Sequence, residues 1–173
     1  MTQSVIKYVN GDVTKVKVNS LTIIPHCVNS ANSFGSGVAA GIAKKWPHVK
    51  EAYHEFYRAC EWDCEYTEEN IPFLLGEVQF VRAEENIVVA NFIGQKSPGL
   101  NQVINGKTWV PARKEAVDEC LGRIADVARK LQAKIIAPKF CSLRAGLNWD
   151  NDVVPLVENN WYDLDVTIYE FKE

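Results

Sequence analysis

The chain has 173 residues, a length typical of one domain. Hydrophobic residues make up 47% and charged residues 24%, and the formal net charge of −3 does not favour binding along a nucleic-acid backbone. Apolar runs are too short to span a bilayer, so no membrane partner is expected. The N-terminal residues lack a signal-peptide pattern, and the odd number of cysteines, five, indicates free thiols in a reducing compartment. We therefore expect the protein to be located in the cytoplasm.

Strand and helix patterns alternate from the N-terminus. A first strand is predicted at 5–9, ended by the turn formers Asn10, Gly11 and Asp12. A second, at 21–28, is almost continuously apolar, which is typical of a buried central strand. Residues 37–46 have apolar side chains at helical spacing, and Pro47 ends this helix and suits the first position of the next.

The second half of the chain continues the alternation and adds one long irregular segment. The predicted elements are, in order, strands at 77–81 and 86–94, a loop at 96–109, a helix opened by Pro111 with an apolar face reaching Leu131, a strand at 134–138, a helix within 149–160 whose first turn includes Pro155, and a closing strand at 165–171. A loop as long as 96–109 is usually functional or mobile. The order predicts an α/β domain with a mixed sheet between helical layers.

Two glycine-containing loops each follow a predicted strand and precede a helix. The first is FGSGVA at 34–39 and the second is CSLRAGL at 141–147. Free N–H groups and the positive end of a helix favour phosphate binding at such loops. The alternative interpretation is that the glycines only allow the positive φ of a tight turn and bind no ligand. Neither loop matches GxxxxGK[ST] or a complete GxGxxG motif, so a standard triphosphate or dinucleotide site is not expected. With GDV at 11–13, the loops should converge at the carboxyl ends of the strands and form a pocket.

Four segments together resemble a known family. In chain order they are GDVT, HCVNSAN with GSGVAAGIAKKWP, NFIGQ, and PKFCSLRAGLNW. They are similar to the macro domain family and, more narrowly, to its branch of ADP-ribose-1″-phosphate phosphatases and related ADP-ribosyl-ester hydrolases. The resemblance covers 1–173 as a single macro domain. It implies a three-layer αβα sandwich with a mixed central sheet of about six strands, and an ADP-ribose cleft at the strand ends.

The resemblance also implies contacts for ADP-ribose. Asp12 would accept a hydrogen bond from the adenine amino group, with the Val13 backbone beside it. Asn29 and Asn32 would face the distal ribose. The diphosphate would lie between Gly35, Ser36, Gly37 and Val38 on one side and Ser142, Leu143, Arg144, Ala145 and Gly146 on the other. Either Tyr169 or Phe171 would stack on the adenine.

The second loop departs from the family pattern. Cys141 and Leu143 stand where the family is commonly glycine-rich, which puts side chains where the backbone usually approaches phosphate. Arg144 is a bidentate phosphate donor that would compensate. Ala145 stands where a related branch of hydrolases has an acidic residue, which disfavours a lysine-plus-aspartate mechanism.

The histidines and cysteines leave alternatives open. His26 ends an apolar strand beside the first loop, and it is either a hydrogen-bonded core histidine or a general acid–base or nucleophile acting on a terminal phosphate. His48 and His54 are expected to be solvated on a helix. Cys27 is expected to be structural, whereas a nucleophilic Cys141 paired with His26 is a minor alternative. A metal site is not expected: Cys60 and Cys64, with His54 nearby, have no second cysteine pair to complete it.

Three functions are consistent with this pattern. The preferred hypothesis is a phosphatase that converts ADP-ribose-1″-phosphate to ADP-ribose and phosphate, with His26 and Asn29 catalytic and no metal or cofactor. The second is a hydrolase that removes ADP-ribose from a modified protein or nucleic acid. The third is a non-catalytic ADP-ribose-binding module. The expected partners are accordingly ADP-ribose, its 1″-phosphate or an ADP-ribosylated macromolecule, and the chain is expected to be a monomer.

Overall fold

The computed structural model describes residues 6–35, 37–63, 74–95, 102–104, 107–109, 112–142 and 145–171. Its strands are β1 (Lys7–Asn10), β2 (Thr22–Asn29), β3 (Val78–Glu84), β4 (Ile87–Gln95), β5 (Gln102–Ile104), β6 (Lys107–Trp109), β7 (Lys134–Pro138) and β8 (Val166–Glu170). Its α-helices are α1 (Gly37–Lys45), α2 (Pro47–Asp63), α3 (Lys114–Leu131) and α4 (Val154–Asn160). Within these residues, no helix is both long and apolar enough to cross a bilayer.

Six strands form one mixed sheet in the order β1-β8-β7-β2-β4-β3. All neighbours are parallel except β3, which pairs antiparallel with β4. This confirms the predicted α/β class and the mixed sheet of about six strands. Because parallel strands share a direction, the carboxyl ends of β1, β2, β7 and β8 meet at one edge of the sheet.

Helices cover both faces of the sheet and bury one hydrophobic cluster on each side. Helices α1 and α2 pack over the cluster that contains Ile24 and Val28. Helices α3 and α4 pack over the cluster that contains Ile23 and Phe92. Successive side chains of β2 therefore enter different clusters, as the period of a strand requires.

Two predicted elements differ from the structure. The segment predicted as loop at 96–109 contains β5 and β6, which pair as a small antiparallel hairpin. Helix α3 begins at Lys114 rather than at Pro111, which lies outside the described residues. A hairpin of three-residue strands is too short to show a clear alternation of apolar and polar side chains.

The last predicted helix has two parts. A π-helical turn, Trp149–Val153, precedes α4, and Asn148 caps the turn by accepting from the Asn151 N–H at 2.7 Å. Pro155 stands in the first turn of α4, as predicted. Its ring does not interrupt a helical hydrogen bond there, because the first N–H groups of a helix have no partner within it.

A substitution at Gly94 on β4 tests how tightly the sheet packs against α3. A Cβ on Gly94 would lie 2.9 Å from Cγ2 of Val117 and 3.0 Å from Sγ of Cys27. We expect Gly94→Ala to lower the free energy of unfolding by about 1–3 kcal/mol through overpacking. Urea denaturation measures the effect.

Gly41→Ala is the matched control for this substitution. Gly41 lies inside α1, and a Cβ there would meet only Cγ2 of Thr14, at 3.6 Å. The same change should stabilise the protein by about 0.5–1 kcal/mol, the difference in helix propensity between the two residues. Equal effects at the two glycines would contradict the packing argument.

Candidate functional site

A cleft crosses the carboxyl ends of the parallel strands. It consists of three adjoining cavities of about 190, 530 and 400 Å³, all of which are bordered by Val38 and Pro138. We call them the deep cavity, which also contacts Asn29, the groove, which also contacts Trp149, and the outer cavity, which also contacts Asp12. The position agrees with the general rule that open α/β sheets hold ligands outside the carboxyl ends of their strands.

Asp12 brings a negative charge to the outer cavity. Its Oδ1 accepts hydrogen bonds from the N–H of Thr14 at 2.9 Å and from the Thr14 hydroxyl at 2.7 Å. The Thr14 hydroxyl lowers the pKa of this carboxyl most; burial opposes it, and the Thr14 N–H and the nearby Lys15 and Lys45 add to the lowering, so the net direction is down. Asp12 is therefore ionised at neutral pH. Val13, which follows it, is buried.

The two aromatic residues predicted as alternatives for stacking have different surroundings. Tyr169 packs against the backbone of Gly11, since a Cβ at that glycine would lie 3.3 Å from its ring. Phe171 is 69% exposed and borders both the outer cavity and the groove. Phe171 thus has a ring face available to a flat ligand, whereas one side of Tyr169 is already covered.

Glycine backbone borders the cleft at the start of α1. Gly37 begins the helix with φ of +58°, in the left-handed region that favours glycine, and has open space where a Cβ would stand. Gly35 also has no atom within 4 Å of a Cβ position, and Val38 is 37% exposed. The first N–H groups of a helix have no partner inside it, so this end of α1 favours an anion in the cleft. Ser36 lies outside the described residues, and its contact stays a prediction.

Asn29 holds the chain that leads into the first loop. Its Oδ1 accepts from the N–H groups of Ala31 at 3.0 Å and Ser33 at 3.2 Å, and its Nδ2 donates to the Ser33 carbonyl at 2.9 Å. The hydroxyl of Tyr53 donates to the Asn29 carbonyl at 2.7 Å. Asn29 is 5% exposed, so the structure gives its amide a local role in shaping the loop. The predicted contact with the distal ribose stays a prediction.

Asn32 is held from α2 by a contact that sequence analysis missed. It has φ of +57°, and its Oδ1 accepts from Nδ1 of His54 at 2.6 Å. Burial, then the charges of Lys50 and Arg58, lower the pKa of His54. His54 is half-buried rather than solvated, and it pins the loop together with Tyr53, its neighbour on α2. No sequence pattern linked either side chain to residues more than twenty positions earlier.

The two ends of the second loop are held together. Cys141 has φ of +61° and Gly146 has φ of +92°. The N–H of Leu147 donates to the Cys141 carbonyl at 3.1 Å, and Ser142 makes a single β-bridge with Leu147. Ala145 is buried, and its carbonyl accepts from the N–H of Ala112 at 3.1 Å. Ser142 and Ala145 border the deep cavity, whereas Leu143 and Arg144 lie outside the described residues and keep their predicted contacts as predictions.

His26 points into the core beneath the first loop. It is 2% exposed, and its Nε2 donates to Oδ1 of Asn91 at 2.5 Å. Asn91 in turn donates to Gln79 at 3.1 Å, and Gln79 donates to the Ala52 carbonyl at 2.9 Å. Burial lowers the pKa of His26 to about 4, against the opposing hydrogen bond to Asn91. The imidazole borders the deep cavity, but its burial and its bond to Asn91 favour the hydrogen-bonded core histidine over proton transfer.

Cys27 and Cys141 lie on the other side of the sheet from His26. Cys27 packs with the cluster under α3, lines the deep cavity, and donates from Sγ to Oε1 of Gln95 at 3.5 Å. Cys141 is buried in that same cluster. Since the ring of His26 packs edge-on against Phe34 in the opposite cluster, at 5.4 Å between centroids, the structure does not pair a thiol with this imidazole.

The predicted Cys60 and Cys64 arrangement cannot be followed, because Cys64 and the side chain of Cys60 lie outside the described residues. Elsewhere in the described ranges, no three His, Cys, Asp or Glu side chains form a group that would hold a metal ion.

Comparisons with known proteins give structural matches alone: no protein-family model and no curated protein matches the chain. A Bacteroides thetaiotaomicron protein of unknown function superposes with a TM-score of 0.83, with 29% identity, over 97% of this chain and 99% of that one. A macrodomain protein from Streptomyces coelicolor gives 0.75 and 31% identity, over 96% and 99%. Thermosipho africanus DarTG in complex with ADP-ribose gives 0.61 and 15% identity, over 87% and 38%, which indicates a shared fold alone.

A mixed sheet between helical layers, with a cleft across the carboxyl ends of its parallel strands, defines an α/β protein built to hold a ligand at those ends. The chain belongs to the macro domain family, since it is 31% identical to the Streptomyces coelicolor macrodomain over almost the whole of both chains. The family prediction is confirmed. The narrower phosphatase branch stays a prediction.

The buried imidazole predicts a loss of stability in acid. The unfolded chain has a histidine of pKa 6.5, whereas the folded pKa of His26 is about 4. The stability is complete above pH 6.5 and is lost as the pH falls towards 4, because only the unfolded chain binds the proton in this window. At pH 5 the loss from this group is about 2 kcal/mol, measured by urea denaturation at each pH.

Two substitutions separate this effect from general acid denaturation. His26→Gln keeps an amide that reaches Asn91 but removes the titrating group, so the fall in stability between pH 7 and pH 5 should become shallower. His48→Gln, at an exposed position on α2, should retain the wild-type profile. An unchanged slope in His26→Gln would contradict the burial argument.

Proposed function

We propose that the cleft binds ADP-ribose, with the adenine in the outer cavity and the distal ribose in the deep cavity. The observation that carries this proposal is the order of chemical groups along one continuous cleft. An ionised carboxylate with a free aromatic face lies at one end, a helix N-terminus lies in the middle, and a polar cavity lies at the other end. The ADP-ribose complex of the Thermosipho africanus protein, which has the same fold, supports the proposal.

At the adenine end, Asp12 accepts a hydrogen bond from the adenine amino group. Thr14 already occupies its Oδ1 with two donors, so the amino group meets the other carboxylate oxygen. Phe171 stacks on the base, because its ring is exposed beside this cavity while Tyr169 packs on Gly11. An aromatic ring beneath a nucleobase contributes about 1–3 kcal/mol.

The diphosphate lies over the start of α1. Gly35 and Gly37 leave open space that lets phosphate oxygens approach the backbone, and the helix end supplies N–H donors and a positive potential. Ser142 in the second loop faces the same space from the other side. Backbone donors of this kind recognise the diphosphate and require no metal in our scheme.

The geometry supports binding more strongly than turnover. Among the described residues, those that border the deep cavity carry amides, hydroxyls, thiols, the side chain of Lys139 and the imidazole of His26, and they include no carboxylate. His26 is neutral at pH 7 and its Nε2 is engaged by Asn91, so proton transfer would first have to break that bond. We therefore propose a binding module. Two reactions remain to be tested. One is release of phosphate from ADP-ribose-1″-phosphate, and the other is removal of ADP-ribose from a modified protein or nucleic acid; for both we propose the cytoplasm as the location.

Removal of the stacking ring should weaken ADP-ribose binding. Phe171→Ala should raise the Kd between about fivefold and a hundredfold, the equivalent of one aromatic–base stack. Isothermal titration calorimetry with ADP-ribose measures it. Tyr162→Ala is the control, since Tyr162 is also exposed, at 58%, but packs beside Arg129 rather than in the cleft. Absence of binding by the wild type at millimolar ADP-ribose would remove the proposed ligand.

Phosphate release distinguishes a binding module from a phosphatase. We expect the wild type to bind ADP-ribose-1″-phosphate and to release no phosphate above the rate without protein. The phosphatase hypothesis makes the opposite prediction, which is release that disappears in His26→Gln while that variant still binds ADP-ribose. Such a result would make His26 catalytic and would overturn our interpretation of its burial.

A further inference from the structure

Three thiols lie close together behind the deep cavity. Cys27 comes from β2, Cys120 from α3 and Cys141 from the second loop, and all three pack in the hydrophobic cluster under α3 and α4. Cys27 and Cys141 both border the deep cavity, and the thiols of Cys27 and Cys120 are near enough to that of Cys141 to raise its pKa. Tertiary packing therefore brings two cysteines that are separated by more than a hundred residues to the wall of one cavity.

Cys141 occupies a position where the backbone favours glycine. Its φ of +61° is in the left-handed region, which costs free energy for a residue with a Cβ. Nevertheless its side chain is 4% exposed and packs in the same cluster as Cys27 rather than facing solvent. The protein thus tolerates an unfavourable backbone at the residue that supplies the second thiol.

The two thiols differ in access. Cys27 is half-buried and lines the deep cavity, so a small solute that enters the cavity meets Cys27 first. Burial raises the pKa of Cys141, which keeps that thiol protonated and slow to react with peroxide itself. Cys120 is buried, and its Sγ is directed at the carbonyls of Glu77, 3.6 Å away, and Ile93, 3.7 Å away. The arrangement is that of an accessible cysteine with a second one beside it to complete a disulfide.

We propose that Cys27 and Cys141 are a peroxide-sensitive pair that closes into a disulfide at the wall of the deep cavity. The Cys27 thiolate attacks one oxygen of hydrogen peroxide, the O–O bond breaks, and the departing hydroxide takes a proton to leave as water. The thiol of Cys141 then attacks the sulfenic sulfur of Cys27. The S–O bond breaks, the Cys141 proton leaves with the hydroxyl group as a second water, and the S–S bond forms.

The disulfide would change the cleft, and this part of the inference rests on the proposed ADP-ribose binding. An S–S bond requires the two sulfurs, which are free thiols in this structure, to approach to about 2.05 Å. Ser142 follows Cys141 directly and borders the same cavity, so movement of Cys141 towards β2 also moves the wall beside the ligand. We expect the oxidised protein to bind ADP-ribose about tenfold more weakly than the reduced protein.

Peptide mapping tests the chemistry without any ligand. The reduced protein is treated with hydrogen peroxide, the free thiols are alkylated, and digested peptides are analysed by mass spectrometry. We expect a peptide that joins Cys27 to Cys141 and three alkylated cysteines out of five. The linked peptide should persist in Cys120→Ser and be absent from Cys27→Ser and Cys141→Ser. A link between another pair of cysteines, or a Cys27 sulfinic acid with a free Cys141, would overturn the proposal.

Titration with ADP-ribose before and after oxidation tests the consequence. The tenfold loss of affinity for ADP-ribose should be reversed by dithiothreitol. It should not occur in Cys141→Gly, which lacks the second thiol and has no Cβ to disfavour the left-handed backbone. A disulfide that forms without a change in Kd would refute the effect on the cleft. If the reduced wild type does not bind ADP-ribose at all, the proposed function fails, whereas the mapping result still decides the disulfide.

Discussion

The burial of β2 on both faces is the constraint on which the rest of the structure depends. β2 pairs with β4 on one edge and with β7 on the other, and helices cover both of its faces. Since its side chains alternate, His26 enters the cluster under α1 and α2 while Cys27 enters the cluster under α3 and α4. One residue's difference in position therefore separates the buried imidazole from the thiol that borders the cleft.

The cleft gets its chemistry mostly from backbone and from polar side chains held in place by neighbours. Tyr53 and His54 on α2 hold Asn29 and Asn32, and through them the chain that leads to the start of α1. Asn29 donates and accepts within its own loop. A loop fixed in this way presents N–H donors in a constant geometry, which suits recognition of a diphosphate better than movement of protons.

Much of the fold could be predicted from local pattern. The apolar run at 21–28, the helical spacing of 37–46 and the position of Pro155 each predicted an element that the structure contains. The short hairpin formed by β5 and β6 was not predicted, because three-residue strands show too little alternation of apolar and polar residues. Within the cleft, the strand ends and glycines were identifiable from sequence. The bond from His54 to Asn32 was not, because nothing local couples a helix to a loop 22 residues before it.

The sequence by itself determined the alternation of strands and helices, the glycines at the cleft and the resemblance to macro domains, because these depend on neighbouring residues and on motif order. Only the tertiary structure decided what the polar and sulfur side chains do. It buries His26 against Asn91, leaves Phe171 rather than Tyr169 exposed, and brings Cys27 and Cys141 to the wall of one cavity. The physical reason is that burial and contact between distant segments set the pKa, the reactivity and the accessibility of a side chain, and both arise only when the layers pack.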